Sequence, residues 1–160
     1  MSLDMFLKLT GIEGESTDAK HKGEIDVLAW SWGLSQPEVP SGGTGGGAGR
    51  VKIENLSVQK LVDLASPLLL LASAQGSHIS DGTLTTRKAG KNGADFLLFK
   101  MTDVVVTSVQ LGASKGDDNP AETVTLGFRK VEFDYQQIKS DGSSGAAKSF
   151  KWDVAANKPG

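Results

Sequence analysis

Few residues in this chain could carry chemistry, and their spacing argues against most of it. There are two histidines, His21 and His78, and no cysteine. That excludes disulfides, thiolate nucleophiles and cysteine-based zinc sites. Neither histidine has a His or Cys partner at metal-ligand spacing. Ser77, His78 and Asp81 crowd together in the sequence, but a nucleophilic triad is a spatial arrangement and ordinary loops hold the same residue types. Asp117 and Asp118 could act as paired carboxylates for proton transfer or for a cation. Asn119 and Pro120 follow them, however, and mark a solvated turn. No catalytic residue, metal or cofactor is expected, so the chain reads as a non-enzyme.

The run from Gly42 to Gly49 has six glycines in eight residues and invites a phosphate-binding reading. It lacks Gly-Lys-Ser/Thr and leads into a strand rather than into a helix N-terminus. A flexible loop over about residues 36–49 is the expectation. Trp30 and Trp32 could stack on a ligand, yet they share parity with Leu28, which points to a core face.

Composition sets wide bounds. The 160 residues suit one domain, 1–160, with a core of its own. Seventeen basic residues against 19 acidic ones give net charge −2, with no sign of a nucleic-acid or anionic-membrane partner. No apolar run approaches the roughly 18–20 residues of a membrane span. The N-terminus, with Asp4 where a signal peptide needs positive charge, reads as a strand.

The elements that must position these residues are mostly strands. Leu3, Met5, Leu7 and Leu9 alternate with polar residues and Phe6, predicting a first strand. Gly11 to Gly23 is polar and reads as a surface connection. Glu24 to Gly33 predicts one strand, with Leu28, Trp30 and Trp32 on the core face and small Ala29 and Ser31 opposite. Arg50 to Ser57 predicts a short strand. Val58, Leu61, Val62 and Ala65 then fall on one helical face, and Ser66-Pro67 starts a second helical piece that stops at Gly76. Four consecutive leucines, 68–71, suggest that this piece is buried.

Residues 79–89 and 95–111 predict a hairpin closed by Asn92-Gly93. Apolar odd positions in its second strand are interrupted at Asp103 and Thr107. Between 122 and 137 the apolar set moves from even to odd positions, which a bulge near Arg129-Lys130 would explain. Phe150, Trp152 and Val154 make a last strand. The fold class is all-β with one short helix, an antiparallel β-barrel or sandwich.

Several stretches, in order along nearly the whole chain, resemble the Hcp family. These haemolysin co-regulated proteins form the inner tube of the bacterial type VI secretion system. The matching stretches are Asp4-Met5-Phe6, Gly14-Glu15-Ser16, Glu24 to Gly33, the glycine run, Thr85 to Gly90 and Val131 to Gln136. The resemblance implies the same fold assembled as a hexameric ring that stacks head-to-tail into a tube. It implies a surrounding sheath, a spike protein and small effector proteins as partners. It also implies synthesis in the cytoplasm and export without a signal peptide. On it, Ala29 and Ser31 are expected on the lumen wall against effectors. Gly42, Gly43, Thr44, Gly45, Gly46 and Gly47 are expected in ring and stacking contacts. The alternatives are a phage-like tail-tube protein and a monomeric barrel that binds a small ligand or performs hydrolysis.

Overall fold

The computed structural model describes residues 2–37, 49–90 and 93–160. β1 spans Leu3–Leu9, β2 Ile25–Val27, β3 Ala29–Ser31, β4 Leu34–Ser35, β5 Lys52–Ile53 and β6 Leu56–Leu61. The helix α1 covers Ala65–Gln75. β7 (His78–Lys88), β8 (Asp95–Gly112), β9 (Ala121–Ile138) and β10 (Ser144–Asp153) complete the chain. The main sheet runs β2-β1-β7-β8-β9-β6-β3, with β10 added on β9. The two ends of that order, β2 and β3, are consecutive in sequence and separated only by Leu28. The sheet therefore curls round to meet itself as a nearly closed antiparallel barrel, with α1 its one helix.

Residues 24–33 are thus two strands rather than one. β2 pairs with β1, while β3 pairs with β6. At the bend between them the Leu28 N–H donates to the Gln59 carbonyl at 2.8 Å. Changing partners changes which side faces inward. Ile25 and Val27 are buried before the bend, Trp30 and Trp32 pack on the core after it, and Leu28 itself is 58% exposed. Both indoles find hydrogen-bond acceptors, as buried tryptophans require. Trp30 Nε1 donates to Thr86 Oγ1 at 3.1 Å and Trp32 Nε1 to the Glu54 carbonyl at 2.8 Å.

A second change of face crosses the three long strands together. Leu7, Leu84, Phe99, Phe133 and Phe150 lie in register across β1, β7, β8, β9 and β10. Trp32 sits edge-on to Phe99 with centroids 4.9 Å apart. Beyond Asp103 the buried positions become Val104 and Val106 on β8, and Val124 and Leu126 on β9. The pairing of Thr102 with Lys130 and of Val104 with Phe128 keeps its register through this line. No residue is inserted at Arg129-Lys130, contrary to the sequence expectation. The strands turn over side by side, and Asp103 absorbs the turn with φ 56. The bulge lies instead at Thr107, where the register shifts between Val106 and Ser108.

The helix also departs from expectation. Val58 and Leu61 belong to β6, where Leu56, Val58 and Lys60 alternate inward. Ser66 lies inside the first turn of α1 rather than at its cap, and Gly76 ends the helix in the left-handed region with φ 62. Leu69 and Ala72 pack inward, but Leu64, Leu68 and Leu71 are 69%, 42% and 52% exposed. The leucine run is therefore not buried as a whole.

The 11–23 connection is not a loose surface loop either. Gly14 and Ser16 form backbone hydrogen bonds with Gly23 and Glu24, and a Cβ on Gly14 would stand 2.6 Å from the Glu24 carbonyl oxygen. His21 is buried, stacked on Phe6 with centroids 4.5 Å apart. Arg87 lies 5.0 Å from the same ring and pairs with Asp18.

That ion pair makes a prediction for acid. The Arg87 guanidinium hydrogen bond holds the Asp18 carboxyl down from 3.8 to about 2. A carboxyl depressed in the folded state stabilises it above the ordinary value, and the contribution fades as pH falls from about 4 to about 2. Asp18→Asn should show a shallower loss of stability than the parent across that window in urea titrations. An identical pH profile would discount the pair.

Candidate functional site

The constellations that could have been catalytic come apart. His78 Nδ1 lies 2.7 Å from Asp103 Oδ1, and the Ser77 hydroxyl donates to Gln75 Oε1 at 3.3 Å. None of these hydrogen bonds links Ser77 or His78 to Asp81. Asp117 closes a turn, accepting the Ser114 N–H at 3.0 Å, as its neighbours Asn119 and Pro120 suggest. Contrary to the reading that no nucleophile-elbow pattern occurs, Gly112 to Gly116 has the Gly-x-Ser-x-Gly spacing. It lies where β8 leaves for a strand-to-strand turn, not at the strand-to-helix corner such an elbow needs. Among the described residues no group of three His, Cys, Asp or Glu side chains could hold a metal ion.

One charged cluster is buried outright. Lys60 Nζ lies 2.7 Å from Glu122 Oε2, 2.8 Å from Asp63 Oδ1 and 3.2 Å from Ser66 Oγ. The Lys60 and Glu122 side chains are fully shielded from solvent. Ser66 donates its hydroxyl to Glu122 and accepts the Asp63 N–H at 3.0 Å. A serine beside a lysine could form a nucleophile and base. Here Ser66 is 1% exposed, so no substrate reaches it. The cluster joins the start of α1 to β6 and β9, and its role is architectural.

What remains is the outside of the barrel, and its two halves differ. On β3, β6, β9 and β8, Ser31, Ser57, Thr125 and Ser108 lie in register as one row. Ala29, Gln59, Thr123 and Gln110 form the next. Ser108 Oγ and Thr107 Oγ1 lie 2.6 and 2.7 Å from Thr125 Oγ1, and Asn55 Nδ2 donates to Thr107 Oγ1 at 3.3 Å. These two rows hold hydroxyls, amides and small methyl groups, and no charge.

The other half carries an ionic ladder across β1, β7, β8, β9 and β10, with Lys8, Thr83, Lys100, Glu132 and Lys151 in register. Lys100 Nζ bridges Glu132 at 3.3 Å and Asp134 at 3.1 Å. The Asp134 carboxylate, helped by Glu132, raises the Lys100 ammonium above its ordinary value.

Ala29 and Ser31 therefore belong to a larger uncharged wall, which can offer many weak hydrogen bonds and little else. The sequence does not point to Ser57, Gln59, Ser108, Gln110, Thr123 and Thr125. A signal was available for four of them, because Ser57 and Gln59 alternate with buried Leu56 and Val58, and Thr123 and Thr125 with buried Val124 and Leu126, whereas Ser108 and Gln110 follow the bulge at Thr107. The loop candidates Gly42, Gly43, Thr44, Gly45, Gly46 and Gly47 lie outside the described residues. The chain on either side of them comes together in the short ladder of β4 and β5, where Leu34 pairs with Ile53 and Ser35 with Lys52.

Comparison with known proteins agrees with this architecture. The family model described as "Type VI secretion system effector, Hcp" matches residues 6–135. Protein hcp1 of Pseudomonas aeruginosa is 43% identical over 159 residues, spanning 98% of each chain. A solved structure of a type six secretion system protein superposes with TM-score 0.91 at 32% identity, covering 98% of this chain and 99% of that one. Hcp1 from Salmonella typhimurium follows with TM-score 0.78 at 34% identity, covering 99% of both.

The buried cluster is open to a direct test. Lys60→Met leaves Glu122 as an unpaired buried charge and should cost about 3–5 kcal/mol in chemical denaturation. Adding Glu122→Leu should recover most of that loss. A double variant as unstable as the single one would show that the ion pair itself, rather than the orphaned charge, carries the effect.

Proposed function

Because the chain belongs to the Hcp family and is a subunit of the type VI secretion tube, we propose that six copies close into a ring, and that such rings stack head-to-tail. Heterologous contacts that close generate rings, and further contacts along the axis generate tubes. The observation that carries this reading is similarity along nearly the full length, in sequence and in fold, to Hcp proteins. Residues 1–160 act as one Hcp-like domain. The loop borne by β4 and β5, with Gly42, Gly43, Thr44, Gly45, Gly46 and Gly47, serves contacts between subunits and between stacked rings.

In this reading a sheath surrounds the tube, a spike tips it, and small effector proteins travel in the lumen. Ala29 and Ser31 stand on the lumen wall. The subunit is made in the cytoplasm and expelled with the tube. It works through geometry and weak cargo contacts, without an active site, a nucleic-acid partner or membrane insertion. The sequence-matched catalytic constellations come apart, which fits a tube subunit; among the described residues no helix is long and apolar enough to cross a membrane. A phage-like tail tube or a monomeric ligand-binding barrel is not favoured.

Light scattering on the purified protein should give the mass of six 16.8 kDa chains, about 101 kDa, with rings in electron micrographs. A 16.8 kDa species at high concentration would reject the ring. Ser31→Gln places a longer side chain on the wall. It should keep the ring mass while lowering recovery of a co-expressed small effector, and unchanged recovery would remove Ser31 from the cargo surface.

A further inference from the structure

We propose that the turn after β10 is the seat that sets the direction in which the stalk of β4 and β5 leaves the barrel, with Asp153 folding the turn and Arg50 tying the stalk to it. The tie is read from this chain alone. Its use, in presenting the loop for contacts between copies, rests on the ring reading above.

The stalk is otherwise held at its foot. β4 and β5 share two rungs, Leu34 with Ile53 and Ser35 with Lys52. Below them the Glu54 N–H donates to the Gly33 carbonyl at 3.1 Å, and Trp32 Nε1 donates to the Glu54 carbonyl at 2.8 Å. A two-stranded ribbon this short has little stability of its own, and bonds gathered at one end leave it free to swing. Arg50 supplies a hold beyond the rungs. Its Nη2 donates to the Val154 carbonyl at 3.0 Å, across 104 residues of sequence. A contact there fixes direction, which contacts at the foot do not.

The acceptor is kept in place by a closed turn. The Val154 N–H donates to the Arg129 carbonyl of β9 at 2.8 Å. The chain then reverses, with the Asp153 N–H donating to the Lys158 carbonyl at 2.8 Å and the Lys158 N–H to the Asp153 carbonyl at 3.3 Å. Inside the reversal Asp153 Oδ1 accepts the Ala156 N–H at 2.9 Å, the local bond by which aspartate favours turns. Asn157 takes the left-handed φ of 53, a conformation asparagine tolerates better than most residues. Asp153 is buried. The Ala156 N–H, with Arg129, Lys130 and Lys158 nearby, holds its carboxyl below the ordinary value, so it remains an acceptor at neutral pH.

A guanidinium suits the other end of the tie. It stays charged and donates through a planar fork, and a bond from a charged donor is stronger than a neutral one. A stalk aimed in advance also spares each contact of its loop part of the cost of ordering.

Hydrogen exchange read by mass spectrometry tests the coupling in the purified protein. Arg50→Ala should make the amides of residues 50–55 exchange about fivefold faster, the population shift that one net hydrogen bond supports. Asp153→Ala, acting through the turn, should do the same. Asp153→Asn keeps the Oδ1 acceptor and should behave as the parent. Should Asp153→Ala loosen β8 and β9 as well, Asn157→Val takes its place, because it strains only the left-handed corner of the turn. Stalk exchange unchanged in Arg50→Ala, or raised there but not by the turn variant, overturns the inference.

Light scattering separates this from the ring reading. Arg50→Ala should need about fivefold more protein than the parent to reach the mass of six chains. Coupled exchange in a parent that stays a single chain retains the tie and rejects the ring. A parent ring that Arg50→Ala matches at every concentration, with stalk exchange unchanged, rejects the tie and retains the ring.

Discussion

The structure depends on one segment serving as both edges of the same sheet. Residues 25–27 pair with β1, residues 29–31 pair with β6, and the sheet is closed by the covalent chain between them. β2 and β3 do not continue one another's alternation: the inward residues are Ile25 and Val27 before the junction and Trp30 and Trp32 after it. The single residue at the junction, Leu28, is therefore turned outward, and the parity of the core reverses around it. The exposed leucine follows from closure. So does the inward turn of Trp30 and Trp32, which lets them fill the barrel from the side where the sheet meets itself.

Charge is distributed by the same geometry. β6 and β9 must put every second residue inside, and at Lys60 and Glu122 those residues are charged. Each would be costly alone in a low-dielectric interior. Together with Asp63 and Ser66 they form a connected set, and α1 is fastened at its first turn by that set. Placing these charges inward leaves the outward rows of the same strands neutral. The contrast between a neutral half and an ionic half of the barrel surface is thus partly a product of what the interior has absorbed.

The fold class, the hairpin of β7 and β8, the last strand and the Gly76 stop were legible, because each rests on local alternation or turn chemistry. The errors have a common origin. Lys60 hides a core position behind a charge, which broke the alternation of β6 and let Val58 and Leu61 pass for a helical face. Apolar content does not by itself give burial: of the four consecutive leucines in α1, only Leu69 packs inward. The interruptions at Asp103 and Thr107 were visible, yet which of them is a shared change of face and which a bulge depends on neighbouring strands. Partner identity is not written in one strand. The neutral wall was half legible for the same reason: Ala29 and Ser31 could be named from their own strand, but their row-mates lie on strands that only pairing brings alongside.

The unequal lengths of the ladders also bear on mechanics. β8 and β9 are 18 residues each and hold their register across the line where both turn over. Their hydrogen bonds run across the strands, so tension along the strand direction loads many rungs at once in shear. β4 and β5 share two rungs, so far fewer bonds hold them together under the same load. Under load along the strands the β8–β9 ladder is the stiff part of the barrel, and the β4–β5 pair is the part that yields first.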